Sequence, residues 1–526
     1  MTGRRDAGLV ALATALALLV AALPAPQGLS VEGQYALATA AFAGTLWVSG
    51  GLPLSVTGLL VPVWLVALGV VSEFEAALSG FADPVIFLFL GTFVLADALS
   101  RHGVDRRVAL ALVATVGTSP RRLVLGVMLA TALLSMVVSN TATAAMMVPV
   151  ALGLVREVEG AGADAVGVAD PAPAPSTDAD AGDAAETPPS SLRTATLLGV
   201  AYAASIGGLG TLVGTPPNAI VVAALDAQLG VSVTFLEWAA LGLPLVAVTL
   251  PLAWLLLVRL HPPSSGGSNA STPSVSTTDR PPLGPGGRRA ASVFVAVAVL
   301  WLLGGVGFLF ENVLPGPLYV TLFGGPGPSL LGAGDHQGVL YFAVVAVLAV
   351  PALVLLGVSD ADDVAGIDWN TLLLFGGGIS LADALGSTGA TEWLAGAVFD
   401  TLAGVPLFAL LFAVVVLTVL LSELASNTAT VAVLAPVLVA IGVARGPAYG
   451  LAPEVAGATL AVASAVAASY GFALPVATPP NAVVFGTGAV TRREMLRAGL
   501  LLDALMAVVT TTLLYGLFAA GLTFVT

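Results

Sequence analysis

Two sets of small polar residues in this 526-residue chain repeat in register, and their chemistry is that of ion ligands rather than of catalysts. Ser135, Ser139, Asn140, Thr141 and Thr143, with Pro149 further on, are matched without a gap by Ser422, Ser426, Asn427, Thr428 and Thr430, with Pro436. Downstream, Thr215, Pro216, Pro217 and Asn218 recur as Thr478, Pro479, Pro480 and Asn481, and upstream the run Leu95 to Leu99 around Asp97 recurs as Leu381 to Leu385 around Asp383. Hydroxyl, amide and carbonyl oxygens are hard ligands for a small cation. Ser and Asn at the start of a helix cap its free amides, whose partial positive charge suits an anion. Two consecutive prolines remove two amide donors and push the preceding residue away from helical geometry, so a helix broken there releases carbonyls. Each pair of elements therefore offers both a cation and an anion something to bind.

The elements that must hold these residues are set by composition. Of all residues 57% are hydrophobic and 9% charged, a balance that requires lipid as solvent. Backbone amides cannot stay unpaired in lipid, and the apolar runs lack the period-two alternation of a barrel, so the fold class is all-α. The pattern predicts a polytopic membrane protein of about 11 transmembrane helices plus two re-entrant helical hairpins. An N-terminal helix covers 1–30. The first repeat, 31–260, holds a hairpin at about 121–156, with arms too short to span comfortably, and a broken helix at about 194–228. The second, 290–526, holds a hairpin at about 405–441 and a broken helix at about 453–488. The Ala-, Pro- and Asp-rich stretch 156–193 reads as a disordered acidic loop and 261–289 as a cytoplasmic linker. Ser139 and Thr215 stand 76 positions apart and Ser426 and Thr478 stand 52 apart, the acidic insertion making the difference.

The basic residues are all Arg, and they cluster around the first half from Arg4 to Arg289, whereas the stretch 386–452 carries only Arg445. Arginine stays on the cytoplasmic side, so the halves are inverted, with the N-terminus cytoplasmic and the C-terminus extracellular. The apolar run behind Arg4 and Arg5 fits an uncleaved signal-anchor helix better than a cleaved signal peptide. There is no Cys, and the three His lack ligand spacing, so no cofactor is signalled. Gly376, Gly377 and Gly378 lack the Lys of a phosphate loop, which leaves no nucleotide-driven motor. Asp97 and Asp383 lie near helix ends and read as structural, Glu423 reads as a solvated vestibule residue, and the seven Trp read mostly as interfacial anchors. Paired broken segments in matching positions are the pointer to a transporter's binding site.

These motifs resemble the divalent anion/sodium symporter family, the dicarboxylate, citrate and sulfate carriers of the ion transporter superfamily. The resemblance runs from about Trp47 and rests on the two Ser-Asn-Thr tips, the two Thr-Pro-Pro-Asn segments and the run from Trp47 to Pro53, where Gly50 and Gly51 stand in place of a usual acidic residue. It implies one sodium site from Ser135, Ser139, Asn140 and Gly214, and a second from Ser422, Ala425, Asn427 and Ala477. It implies that the anion meets Asn140 and Thr141, Asn427 and Thr428, with Thr215, Pro216, Thr478 and Pro479 closing the pocket. It further implies a homodimer in the cell membrane, with a mobile transport domain moving as an elevator against a scaffold. Such a protein is no enzyme and engages no nucleic acid; its partners are a small divalent anion, sodium and lipid. A sodium/proton antiporter with Glu423 or Asp383 as proton carrier, a sodium-independent anion exchanger, and a receptor that binds without moving its ligand are the competing readings.

Overall fold

The computed structural model describes residues 2–116, 119–163, 190–263, 282–332, 334–399, 404–424 and 426–519. Its first half comprises α1 (Thr2–Ala22), α2 (Val31–Ser49), α3 (Leu54–Ala67), α4 (Phe74–Ala77), α5 (Pro84–Arg101) and α6 (Val104–Val116), then α7 (Pro120–Ser135), α8 (Asn140–Ala163), α9 (Ser191–Gly207), α10 (Pro216–Leu229) and α11 (Phe235–Leu260). The second comprises α12 (Pro285–Gly305), α13 (Gly316–Phe323), α14 (Phe342–Leu355), α15 (Ala361–Ala365), α16 (Trp369–Ser387) and α17 (Ala390–Phe399), then α18 (Leu407–Leu424), α19 (Asn427–Arg445), α20 (Pro453–Ala468), α21 (Pro479–Phe485) and α22 (Arg492–Ala519). Among the described residues the β pairing is limited to an isolated bridge between Gly325 and His336.

Eight described helices are long and apolar enough to cross a bilayer, and α16 with α17, bent by 72° where they meet, makes a ninth. α3, α14 and α20, at 14, 14 and 16 residues, are shorter apolar helices beside these. The hairpin arms are longer than read: α8 has 24 residues because its helix continues through Arg156 and Glu159, and α18 and α19 have 18 and 19. The stretch 156–193 thus begins as helix to Ala163, and 261–289 ends as helix from Pro285; 164–189 and 264–281 lie outside the described residues.

Packing explains where the polar elements sit. A helix apolar all round belongs in the interior, and α9 is buried at every residue from Thr194 to Gly207, α20 from Ala456 to Ala468. Hairpin α7–α8 packs along α9, and hairpin α18–α19 along α20. Elsewhere glycine lets helices touch backbone to backbone: a Cβ on Gly377 would lie 2.3 Å from Gly58 O, and one on Gly58 2.6 Å from Leu373 O, so α3 and α16 cross in contact. Of the run 376–378, Gly377 makes this contact, while Gly376 faces Phe81 and Gly378 faces Ala432 of α19.

Three tryptophans depart from the anchor reading. Trp47, Trp238 and Trp301 are buried, and their indole N–H groups donate to Leu54 O (3.3 Å), Leu209 O (3.1 Å) and Phe342 O (3.0 Å). A buried indole needs an acceptor; Leu209 lies in the turn after α9, and Leu54 and Phe342 are the first residues of α3 and α14.

Candidate functional site

Between α9 and α10 the chain leaves the helix for a short turn, Gly208–Gly210, and an extended stretch to Thr215. The two prolines forbid helix at Thr215, and a side chain at Gly207 or Gly214 would put Cβ 2.3 Å from Ala132 O or 2.4 Å from Gly208 O. The break between α20 and α21 is built alike. In both, the Asn that ends the Thr-Pro-Pro-Asn motif turns back into the break. Asn218 Nδ2 donates to Gly208 O (3.0 Å) and Thr211 O (2.8 Å), and Asn481 Nδ2 donates to Gly471 O (2.9 Å) and Leu474 O (3.0 Å). The offsets of ten and seven residues are the same in both halves. Some carbonyls that the motif releases are thus taken by its own Asn, a bond the sequence reading did not assign to Asn218 or Asn481.

Each hairpin tip is tied to the helix behind it by one serine. Ser135 Oγ donates to Ala204 O (2.7 Å) and meets the Asn140 carboxamide at 2.6 Å; Ser422 Oγ donates to Ala468 O (2.6 Å) and meets Asn427 Oδ1 at 2.7 Å. Both serines are wholly buried. Asn140 and Asn427 therefore turn into the protein and do not cap α8 and α19 with their side chains. Ser139 does cap, accepting from Ala142 N at 3.3 Å.

The atom of the Asn140 carboxamide that faces Ser135 Oγ also lies 3.1 Å from Ala204 O and 3.3 Å from Gly214 O. A nitrogen in that position donates to all three. An oxygen there completes a ring of four oxygens, which repel one another unless a cation sits among them.

Both tips and both breaks open on one cavity of about 1180 Å³. Ser139, Asn140, Thr141, Gly214, Thr215, Pro216, Asn427, Thr428, Ala477, Thr478 and Pro479 all line it, while Ser135 and Ser422 stand behind the tips. Ala425 lies outside the described residues. The N-termini of α8, α10 and α19 face the cavity, each carrying roughly half a positive charge. α5 reaches the cavity with its C-terminal end and α16 with its N-terminal end, as two oppositely directed halves require.

Other polar residues stand in and around the cavity outside the two repeated motifs. Asn370 and Thr371 of α16 line it, as do Asp97, Asp363 and Arg101 at its mouth. Arg101 Nε pairs with Asp97 at 2.7 Å and its guanidinium also pairs with Asp363. Asp97 is thus structural, as read, and Asp383 accepts from Ser79 Oγ at 3.1 Å. Glu423 departs from its reading as a vestibule residue: it is 7% exposed, outside the cavity wall, and accepts from Ala473 N (2.7 Å) and Leu474 N (2.9 Å). The unwound stretch after α20 has amides to satisfy, and a carboxylate on the adjacent α18 takes two of them.

The profile of the sodium:sulfate symporter transmembrane region matches residues 6–521. An uncharacterized transporter of Haemophilus influenzae is 34% identical over 480 residues, covering 91% of this chain and 90% of the relative. The sodium-dependent dicarboxylate transporter SdcS of Staphylococcus saprophyticus is 31% identical, covering 93% and 87%. Among solved structures, the Alcanivorax borkumensis YdaH transporter matches with TM-score 0.55 at 19% identity, covering 85% of this chain and 87% of that one. The Neisseria gonorrhoeae MtrF efflux pump matches with TM-score 0.57 at 13% identity, covering 98% and 94%. Those two likenesses concern the fold.

Proposed function

The chain belongs to the sodium:sulfate symporter family, a family of multi-pass membrane transporters and not of enzymes, and from that premise we propose that it carries a small divalent anion across the cell membrane together with sodium. The relatives named for sodium-dependent dicarboxylate transport make a dicarboxylate the first candidate, ahead of a citrate-type tricarboxylate or sulfate. The observation that carries the reading is the pair of serine-tied tips, Ser135 with Asn140 and Ser422 with Asn427, set against two breaks in one cavity.

One sodium ion is held by Ser135, Ser139, Asn140 and Gly214, to which the geometry adds Ala204 O; a second is held by Ser422, Ala425, Asn427 and Ala477, with Ala468 O in the matching place. The anion meets Asn140, Thr141, Asn427 and Thr428 at the starts of α8 and α19, with Thr215, Pro216, Thr478 and Pro479 as the walls. No basic side chain stands at the tips, so bound sodium and helix N-termini neutralise the dianion. Without sodium the dianion would face lone pairs and its desolvation would go uncompensated, which couples the two. The hairpins and broken helices move as one body, elevator fashion, against a scaffold containing α2, α3, α5, α14 and α16, within a homodimer whose N-terminus is cytoplasmic and C-terminus extracellular.

Uptake of labelled succinate, citrate and sulfate into proteoliposomes, with and without an inward sodium gradient, tests the proposal. Sodium-stimulated uptake of at least one anion is expected. Flux of all three that ignores sodium overturns it.

A further inference from the structure

The scaffold side of the cavity carries one amide whose orientation is already fixed. Asn370, second residue of α16, accepts a hydrogen bond on Oδ1 from the buried Ser55 Oγ at 2.7 Å. That bond commits the carbonyl oxygen and leaves Nδ2, with two N–H donors, on the far side of the carboxamide plane. Asn370 is exposed and lines the cavity, and among the described residues its Nδ2 meets no protein acceptor. Its neighbours are not free in this way. Thr371 donates its hydroxyl to Asp368 Oδ2 at 2.5 Å, and Arg101 is held between Asp97 and Asp363.

The height of Asn370 relative to the tips follows from helix geometry. A Cβ on Gly378 of α16 would lie 3.4 Å from Ala432 Cβ of α19, which puts those two positions side by side. Counting back toward the cavity at 1.5 Å per residue, Asn427 lies about 7.5 Å from that level and Asn370 about 12 Å. The same count from Gly386 beside Gln228 puts Pro216 at about 18 Å and Asn370 at about 24 Å. Both counts set Asn370 about one helical turn nearer the cavity mouth than the tips. A small dianion hydrogen-bonded at the tips can reach a donor offset by one turn. Leu54, Phe89, Phe93 and Leu374 line the same cavity and suit its methylene groups.

We propose that Asn370 Nδ2, oriented by Ser55, is the donor for the far carboxylate of a dicarboxylate whose near carboxylate sits at the hairpin tips. The inference rests on the transport reading above and sharpens it. The bond joins α16 to a ligand held at the tips. It is also a contact made across the boundary between scaffold and hairpins, and it breaks when they move apart.

The test compares succinate with its monoamide, succinamate, as competitors of labelled succinate uptake in proteoliposomes, at saturating sodium. The unaltered protein should favour succinate, and Asn370→Ala should reduce that preference about tenfold, the worth of a hydrogen bond to a charged group. Asn370→Asp, which sets a carboxylate against a carboxylate, should weaken succinate binding further. Ser55→Ala, which lets the amide turn, should cause a smaller loss of the same preference. With succinate saturating, the sodium concentration for half-maximal uptake should stay the same in Asn370→Ala; a change in both would indicate general damage to the cavity and overturn the assignment. Succinate flux with an unchanged succinate-to-succinamate ratio in Asn370→Ala overturns the subsite alone. Absence of any sodium-driven succinate flux in the unaltered protein overturns the transport reading, and the subsite with it.

Discussion

The two helix breaks share one plan and differ in what fastens them. In both, an Asn at the end of Thr-Pro-Pro-Asn closes the break on itself with the same two offsets. In the first half the rest is done by neutral groups: Thr211 donates to Met136 O, and the Trp238 indole donates to Leu209 O. In the second half carboxylates do it: Glu423 takes the amides of Ala473 and Leu474, and Asp503 Oδ1 takes that of Phe472 at 3.3 Å. Met136 occupies the place that matches Glu423. The parts that touch ions and cargo are kept alike, and the fasteners behind them are free to diverge, because any donor or acceptor of the right sign can hold an unwound backbone.

The largest expected effect tests that difference. Glu423→Ala leaves two buried amides without acceptors, each worth about 1–3 kcal/mol. We expect a melting temperature in detergent several degrees lower and loss of the stabilisation that sodium gives the unaltered protein. Met136→Ala, at the matching position, removes only packing and should keep sodium stabilisation. Equal losses from the two would break the comparison. Glu423→Gln should recover only part, since its NH₂ group turns a donor toward one of the two amides.

A middle-sized effect tests the shared plan. Asn218→Ala and Asn481→Ala each free two buried carbonyls in the same geometry, so each should cost about 2 kcal/mol, and by nearly the same amount. Denaturation curves of the two variants in the same detergent measure this. A difference above about 1 kcal/mol would mean that the two breaks are not equivalent in energy.

Register between halves was legible in the residues that both halves need, and only there. Ser135 with Asn140 and Ser422 with Asn427 stand out because the same spacing returns, and the cavity brings them together. Glu423, Asn370 and Trp238 stand at positions without a matching polar partner, so a search by repetition passes over them. Glu423 was misjudged because its partners are backbone amides, which carry no side-chain signature. Helix ends are less legible, because hydropathy reports apolar length along the chain, while α3, α14 and α20 end at turns and breaks that interrupt it. Trp47 and Trp301 were misplaced because a carbonyl acceptor inside the protein is as invisible in sequence as a lipid headgroup.

The smallest effect concerns the matched aspartates, of which Asp97 shares Arg101 with Asp363 whereas Asp383, among the described residues, has the Ser79 hydroxyl alone. The Arg101 guanidinium holds the Asp363 carboxyl below its usual value of 3.8. A carboxylate whose folded pKa is depressed adds stability above its unfolded pKa and loses it as pH falls through the folded value. The Asp363 contribution should therefore be constant from about pH 8 to about pH 5 and fade below the ordinary carboxylate range. Arg101 is 40% exposed and Asp363 16%, so water reaches the pair, screening keeps the effect small and added salt should shrink it further. The difference in melting temperature between the unaltered protein and Asp363→Asn, followed against pH at low and high salt, measures it. A difference that grows toward acid pH would mean that Arg101 draws no stability from this pair, and that the mouth of the cavity is held by Asp97 alone.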